Sequence, residues 1–241
     1  EAEELGFTIN IGPEPEFFLF HTDKQGKATT VSNDVGGYLD EIVDVEELVI
    51  RDIVETLDQL GFDIESSHQE NAPGQYEVDF KYSDALSTAD KIVTFKLVVG
   101  AMAHKHGMHA TFMPKPFSDS AGSCMHLHQS LFKDGKNVFY DPDDEYQLSK
   151  TAHYYIGGLI KYAREYTAIT NPIVNSYKRL GYFHEAPKYI AWSKYNRTSL
   201  ARIPAAHTRV GTRIELRSPD PSCNPYFALA VIIKAGLKGI K

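Results

Sequence analysis

Glu14 and Glu16 stand two residues apart in a run rich in Phe and Ile, so a strand there would set both carboxylates on one face. The spacing recurs twice. His126, His128 and Ser130 alternate with Met125, Leu127 and Leu131, and Arg213, Glu215 and Arg217 alternate with Ile214 and Leu216. Each apolar face must enter a core, so the polar faces look either at bulk water or into a shared cavity. On any one strand such a face ordinarily means the solvated side of a sheet. Against that reading stand Gly12-Pro13 and Pro15 around the glutamate pair, and Gly122-Ser123 ahead of the histidines. Glu70 and Glu77 bracket Ala72-Pro73-Gly74, the pattern of a turn that presents carboxylates at its rim. Glu14, Glu16, Glu70, Glu77, Glu215 and His126 together suit Mg²⁺ or Mn²⁺, since hard cations take carboxylate oxygens and Mn²⁺ tolerates an imidazole. Without a thiolate in the set, zinc is less favoured.

A second cluster is basic: Arg179, Arg197, Arg202, Arg213 and Arg217 fall in the last part of the chain. The guanidinium fork matches carboxylates and phosphates, so arginines beside cation-binding acids point to phosphoryl transfer on an anionic substrate. The alternative is a basic surface stripe paired with acids elsewhere. No Walker loop or kinase-type glycine loop occurs, so nucleotide phosphates would be held by metal and arginine.

The elements that must position these groups are legible in part. Phe7 to Phe20 reads as a strand, with its prolines where ladder bonding is interrupted. Val45, Leu48, Val49, Ile53, Leu57 and Leu60 recur at helical spacing up to Gly61. A second helix follows Ser83, with Leu86, Ile92, Val93 and Leu97 on its apolar face and Gly107 past its end. Between them Gln75 to Tyr82 alternates as a strand. Short strands follow over Met108 to Met113 and Met125 to Phe132, and Asp134-Gly135 signals a hairpin into Val138-Phe139-Tyr140. One helix is expected over Ala152 to Ile169, a strand over Thr212 to Ser218, and a last helix from Tyr226. This order, without strict βαβ alternation, predicts an α+β fold with a largely antiparallel sheet flanked by helices.

Composition sets the outer limits. The 241 residues suffice for one sizeable core, and hydrophobic residues at 42% with charged residues at 24% are those of an ordinary globular chain. A formal charge of −7 argues against a nucleic-acid platform. Cys124 and Cys223 fit no zinc spacing and no disulfide framework, so a reducing, cytoplasmic setting is expected. The longest apolar run, Tyr226 to Ile233, is stopped by Lys234, short of a bilayer span, and no signal peptide is read. The first residues read as a helix end stopped by Gly6, and the last as a helix without a natural end. A single domain over residues 1–241, cut from a longer protein at both ends, is therefore expected.

Eight blocks resemble, in order, the motifs of type I glutamine synthetase: Gly12-Pro13-Glu14-Pro15-Glu16-Phe17-Phe18, Glu65 to Phe80, Met113-Pro114-Lys115-Pro116, Gly122 to Leu131, Asn175 to Leu180, Glu185-Ala186-Pro187, Asn196-Arg197-Thr198 and Arg213 to Asp220. The resemblance covers essentially the whole chain. It implies a curved antiparallel sheet around a funnel, with Glu16, Glu70 and Glu77 on one divalent ion and Glu14, His126 and Glu215 on another. It further implies that Gly122, Arg179 and Arg217 bind glutamate, that Arg197, Arg202 and Arg213 touch phosphates, and that Glu65, His128 and Ser130 lie near the nucleotide. Glu185 matches a flap glutamate that binds and deprotonates ammonium, and Arg197 matches a position that stabilises the transferring phosphoryl group. The implied reaction is ATP-dependent ligation of ammonia to L-glutamate through γ-glutamyl phosphate, with glutamate, ammonium and ATP as partners, in a ring-like homo-oligomer, a dodecamer in the full-length protein. The family's N-terminal β-grasp domain, which completes a neighbour's site, has no counterpart in these residues.

The sequence departs from the family pattern at Gln69, Ala121 and Cys124, which bear on the amino-acid substrate and not on the reaction class. Two rival readings follow: a relative that ligates glutamate to a polyamine or another amine, and a structural relative without catalysis. An intact Glu185-Ala186-Pro187 argues against the first, and six retained metal-ligand types argue against the second, because a scaffold gains nothing from burying them unpaired.

Overall fold

The computed structural model describes residues 1–32, 45–180, 186–205 and 208–241. A short 3-10 turn, Glu3–Leu5, is ended by Gly6 at φ 77° and leads into the longest strand, β1 (Thr8–His21). Chain order continues with α1 (Val45–Gln59), β2 (Ile64–Gln69), β3 (Gln75–Phe80), β4 (Ser83–Asp84), α2 (Ala85–Lys105), β5 (Met108–Thr111) and β6 (Met125–Lys133). Then come β7 (Lys136–Asn137), α3 (Lys150–Lys161), α4 (Ala163–Thr170), α5 (Val174–Arg179), β8 (Tyr189–Ser193), β9 (Ser199–Arg202), β10 (Ile214–Leu216) and α6 (Pro225–Ile240).

Among the described residues the strands form one open sheet in the order β2-β3-β1-β6-β10-β9-β8, with β4 and β5 also on β1 and β7 on β6. Every pairing is antiparallel except β8 with β9. The α+β, largely antiparallel architecture is thus the one expected. Along one edge β1 pairs β6 continuously from Thr8 to Pro15, while its other edge pairs β4 at Asn10 and Ile11 and β3 only from Glu16. Pro13 and Pro15 fall in the gap between those two partners, where a residue without an N–H costs no ladder bond.

The period of two divides the sheet. Ile9, Ile11, Phe17 and Leu19 of β1, Met125, Leu127 and Leu131 of β6, and Ile214 and Leu216 of β10 enter the core against the helices. The intervening residues are therefore left to the opposite face. At the far end of β1 both faces are buried, because Phe18 and Phe20 stack at 5.7 Å and meet Phe117 edge-on in a second, smaller apolar cluster.

Helix α1 buries Val49, Ile50, Ile53 and Leu57, and Gly61 at φ 84° ends it. Val45, Leu48 and Leu60, expected on that stripe, are exposed. In α2 the correction is larger. Asp84 caps the helix by accepting from Leu86 N and Ser87 N, but the buried face is Thr88, Ala89, Ile92, Phe95, Val99 and Ala103, while Leu86 and Leu97 are exposed. Phe95 decides the rotation, since its ring meets Phe17 edge-on at 6.0 Å and Phe80 at 5.8 Å. An aromatic and several small residues outweigh two leucines. The Asp134-Gly135 turn forms with both φ values positive, 49° and 72°. The strand beyond it is Lys136–Asn137, so the expected Val138-Phe139-Tyr140 falls past its end, where Tyr140 makes an isolated bridge to Leu148. The single helix expected over 152–169 is broken at Tyr162 into α3 and α4. Helix α3 packs on α6 through glycines: a Cβ on Gly158 would meet the Ala235 carbonyl oxygen at 2.2 Å.

Candidate active site

The face of the sheet turned away from that core carries a cleft of about 800 Å³. Glu14 and Glu16 of β1, Glu77 of β3, His126 of β6 and Glu215 of β10 all line it, joined by Glu70 from the β2–β3 turn. Register explains the meeting. Glu16 sits opposite Glu77, Glu14 opposite His126, and Glu215 lies on the strand beyond β6. The Glu70 N–H donates to the Gln75 carbonyl oxygen at 2.8 Å, which closes the turn and brings its carboxylate over the same point.

Two groups of three result. Ligand atoms of Glu16, Glu70 and Glu77 lie within 4.8 Å of one another, and so do those of Glu14, His126 and Glu215. These are the two sets that the motif resemblance implies for two ions. Their electrostatics differ. Glu16 and Glu77 are 4% and 5% exposed. Burial, with the charge of Glu70 beside it, pushes the Glu16 carboxyl up to about 8. Burial and then Asp79, Glu16, Glu14 and Glu70 hold the Glu77 carboxyl well above the usual carboxylate range. Glu16 is fixed by Gln75 Nε2, which donates to its Oε2 at 2.5 Å, and by Cys124 N, which donates to the same oxygen at 3.1 Å. Acids so buried and so poorly compensated are what a divalent cation would neutralise.

The second group carries its own cations. Glu215 is fully buried and accepts from Arg202 Nε and Arg217 Nη1. Its burial would raise it, but His126, His128, Arg217 and Arg202 together hold it below the ordinary value. Burial acts the same way on Glu14, and His128 and His126 overcome it. Burial and then Arg217 lower the His126 imidazole, which keeps a ring nitrogen free for a metal. Arg213 Nε donates to His128 Nδ1 at 3.1 Å, leaving His128 Nε2 to donate to Glu14 Oε1 at 2.6 Å. Both donor sets, three carboxylates in one and two carboxylates with an imidazole in the other, fit Mg²⁺ or Mn²⁺.

Around these groups the cleft is lined by Gly122, Arg179, Arg197, Arg202 and Arg217. Arg179 is 3% exposed and donates from Nη2 to the Ser218 and Pro219 carbonyls, while its buried Nε has no partner. Gly122 is required where it stands, because a Cβ would meet the Pro114 carbonyl oxygen at 2.2 Å. Arg217 Nε donates to the Arg197 carbonyl oxygen at 2.8 Å. The expected nucleotide set divides between two clefts. Glu65, His128, Ser130 and Arg213 line a second cleft of about 340 Å³, whereas Arg197 and Arg202 line the first. Glu14, Ser66 and Asp79 belong to both. Glu185 lies outside the described residues, and its neighbour Ala186 lines the first cleft.

Sequence reasoning overlooked four side chains here. His68 Nε2 is 3.1 Å from Glu70 and 3.4 Å from Glu77, and the hydrogen bond to Glu70 raises its pKa. Asp79 joins His68 and Glu77 in a further cluster, and burial lifts its carboxyl to about 6. Both repeat the spacing of two that marks Glu14 and Glu16, so the signal was present. Gln75 and Cys124, which fix Glu16, carry none in their residue types.

The family model for the glutamine synthetase catalytic domain matches residues 1–241. The glutamine synthetase of Methanosarcina mazei is 58% identical over 242 residues, covering 100% of this chain and 54% of the relative. That of Clostridium saccharobutylicum is 57% identical with the same coverage, and that of Halobacterium salinarum 56%, covering 99% and 53%. Among solved structures, Plasmodium falciparum glutamine synthetase superposes with a TM-score of 0.89 at 28% identity, over 99% of this chain and 53% of that one. GmaS in an ADP complex gives 0.86 at 38% identity, over 99% and 56%. The chain spans about half the length of the curated relatives it matches.

Proposed function

This chain belongs to the glutamine synthetase family, and from that premise we propose that it carries the catalytic chemistry of ATP-dependent ligation of ammonia to the γ-carboxylate of L-glutamate. The observation that carries the reading is the pair of three-ligand groups, Glu16/Glu70/Glu77 and Glu14/His126/Glu215, side by side in an arginine-lined cleft. A carboxylate is a poor electrophile. Phosphorylation of its oxygen by ATP gives γ-glutamyl phosphate, from which phosphate leaves when ammonia attacks the carbonyl carbon. Divalent ions held by the two groups, Mg²⁺ or Mn²⁺, supply positive charge to the polyphosphate when bound. The protein's own part is positioning. The buried, unpartnered Arg179 N–H is a donor that a substrate carboxylate would satisfy, and Gly122 lets the backbone approach the same place. Arg217 braces Glu215 from the glutamate side, and Arg197 neutralises the transferring phosphoryl group. Glu65, His128, Ser130, Arg202 and Arg213 receive the nucleotide; that the domain takes an adenine nucleotide at all is supported by the similar GmaS, solved as an ADP complex. Glu185 holds ammonium and takes its proton, so that neutral ammonia attacks.

Assembly into a ring-like homo-oligomer and a cytoplasmic location belong to the same proposal; among the described residues no helix is long and apolar enough to cross a membrane. The test is ADP release by the full-length protein given glutamate, ATP and Mg²⁺, with ammonium set against methylamine, ethylamine and polyamines. Ammonium is expected to give the highest kcat/KM. A preference for another amine would move the protein to a γ-glutamyl-amine ligase, and no glutamate-dependent ADP release would end the ligase reading.

A further inference from the structure

Cys124 has no part in the reaction above, yet its sulfur lies among ligands of both carboxylate groups. We infer that Glu16, Cys124 and His126 form a third cation site, selective for soft or borderline divalent ions such as Cd²⁺ and Zn²⁺. The Cys124 Sγ, a Glu16 carboxylate oxygen and a His126 ring nitrogen lie within 4.8 Å of one another, and all three residues are buried. Backbone bonds hold the cysteine there. Glu16 N donates to the Cys124 carbonyl oxygen at 3.0 Å, Cys124 N donates back to Glu16 Oε2 at 3.1 Å, and Met125 N donates to the Pro219 carbonyl oxygen at 3.0 Å. One sulfur, one imidazole and one carboxylate are the donors of zinc-type sites, unlike the all-oxygen group of Glu16, Glu70 and Glu77.

Binding exchanges protons for the ion. The thiol now donates to Glu16 Oε1 at 2.6 Å; on binding, the thiol proton and the proton carried by the Glu16 carboxyl both leave to solvent, sulfur and oxygen keep their electron pairs, and thiolate and carboxylate meet the cation. Glu16 belongs to one hard-cation group and His126 to the other, so a single soft ion withdraws a ligand from each. Only this competition rests on the hard-cation reading; the soft site itself does not.

The experiment is Cd²⁺ titration of the protein, followed by sulfur-to-cadmium charge-transfer absorption, in the wild type, Cys124→Ser and Cys223→Ser, with Mn²⁺ stoichiometry measured beside it. Cys223, the second buried thiol, is the control. A one-equivalent band is expected in the wild type and in Cys223→Ser and is lost in Cys124→Ser, while bound Cd²⁺ lowers Mn²⁺ uptake. A band that survives in Cys124→Ser, or none in the wild type, overturns the site. Should Cys124→Ser fail to fold by circular dichroism, His126→Asn serves instead: it keeps the thiol and is expected to weaken Cd²⁺ by about tenfold or more, and unchanged affinity refutes the triad. Absence of Mn²⁺ binding in the wild type, with the cadmium band intact, counts against the hard-cation reading alone.

Discussion

Replacing Glu16 by glutamine is expected to stabilise the metal-free protein at neutral pH while removing a cation ligand. The folded Glu16 carboxyl keeps its proton up to about pH 8, against an ordinary value of 4.5, because it is buried beside Glu70. Between those two pH values the unfolded chain has released a proton that the folded chain retains, so stability falls as pH rises from 4.5 to 8. At pH 7 the gap from 4.5 is about 2.5 pH units, and at about 1.4 kcal/mol per unit the cost is on the order of 3 kcal/mol. At pH 5 it is under about 1 kcal/mol by the same reasoning. Glutamine keeps an acceptor for Gln75 Nε2 and Cys124 N, the donors that now fix Glu16 Oε2, and carries no ionisable proton. Urea unfolding in excess chelator, wild type beside Glu16→Gln, reads the difference at pH 5, 7 and 8. A variant advantage that grows across that series is expected. An equal or lower stability for Glu16→Gln at pH 8 would refute the picture of an uncompensated buried acid.

Glu215→Ala removes the shared acceptor of Arg202 and Arg217 and is expected to cost about 3–5 kcal/mol of unfolding free energy, since the buried Arg217 loses its carboxylate counter-charge; a loss within about 0.5 kcal/mol in denaturant titration contradicts the buried ion pair. Gly122→Ala is expected to raise the glutamate KM more than about tenfold with nucleotide affinity little changed, because the new Cβ meets the Pro114 carbonyl oxygen at 2.2 Å; steady-state kinetics showing an unaltered KM would remove the close-approach argument. Glu185→Ala in the full-length protein is expected to leave ATP binding near its original value and slow ammonia-dependent turnover about 10²-fold or more, and a collapse of nucleotide affinity instead would make Glu185 structural.

What could be read in advance follows from which interactions decide each feature. Alternation is a local property, so the polar faces of β1, β6 and β10 were visible in Glu14/Glu16, His126/His128 and Glu215. Their pairing was not. That Glu16 meets Glu77 and Glu14 meets His126 is set by register across strands far apart in sequence, and only motif resemblance grouped them beforehand. Helix α2 was placed but turned the wrong way, because counting leucines ignores Phe95, whose partners Phe17 and Phe80 come from other strands. Helix α5 and strands β8 and β9 escaped notice, as short segments whose apolar residues show no clear period. Asp79 and His68 were overlooked although their spacing was legible, since a single acid or histidine beside a known motif reads as surface until a third strand closes over it.

The most direct test of the two-group arrangement is Mn²⁺ titration by calorimetry on the wild type, Glu16→Ala and Glu215→Ala. Each substitution takes one carboxylate from a different set of three, and a pair of remaining ligands displaces too little metal-bound water to hold the ion. Two ions are expected in the wild type and one in each variant, with the double variant binding none. Two ions retained in both single variants would contradict the assignment of Glu16/Glu70/Glu77 and Glu14/His126/Glu215 to separate ions.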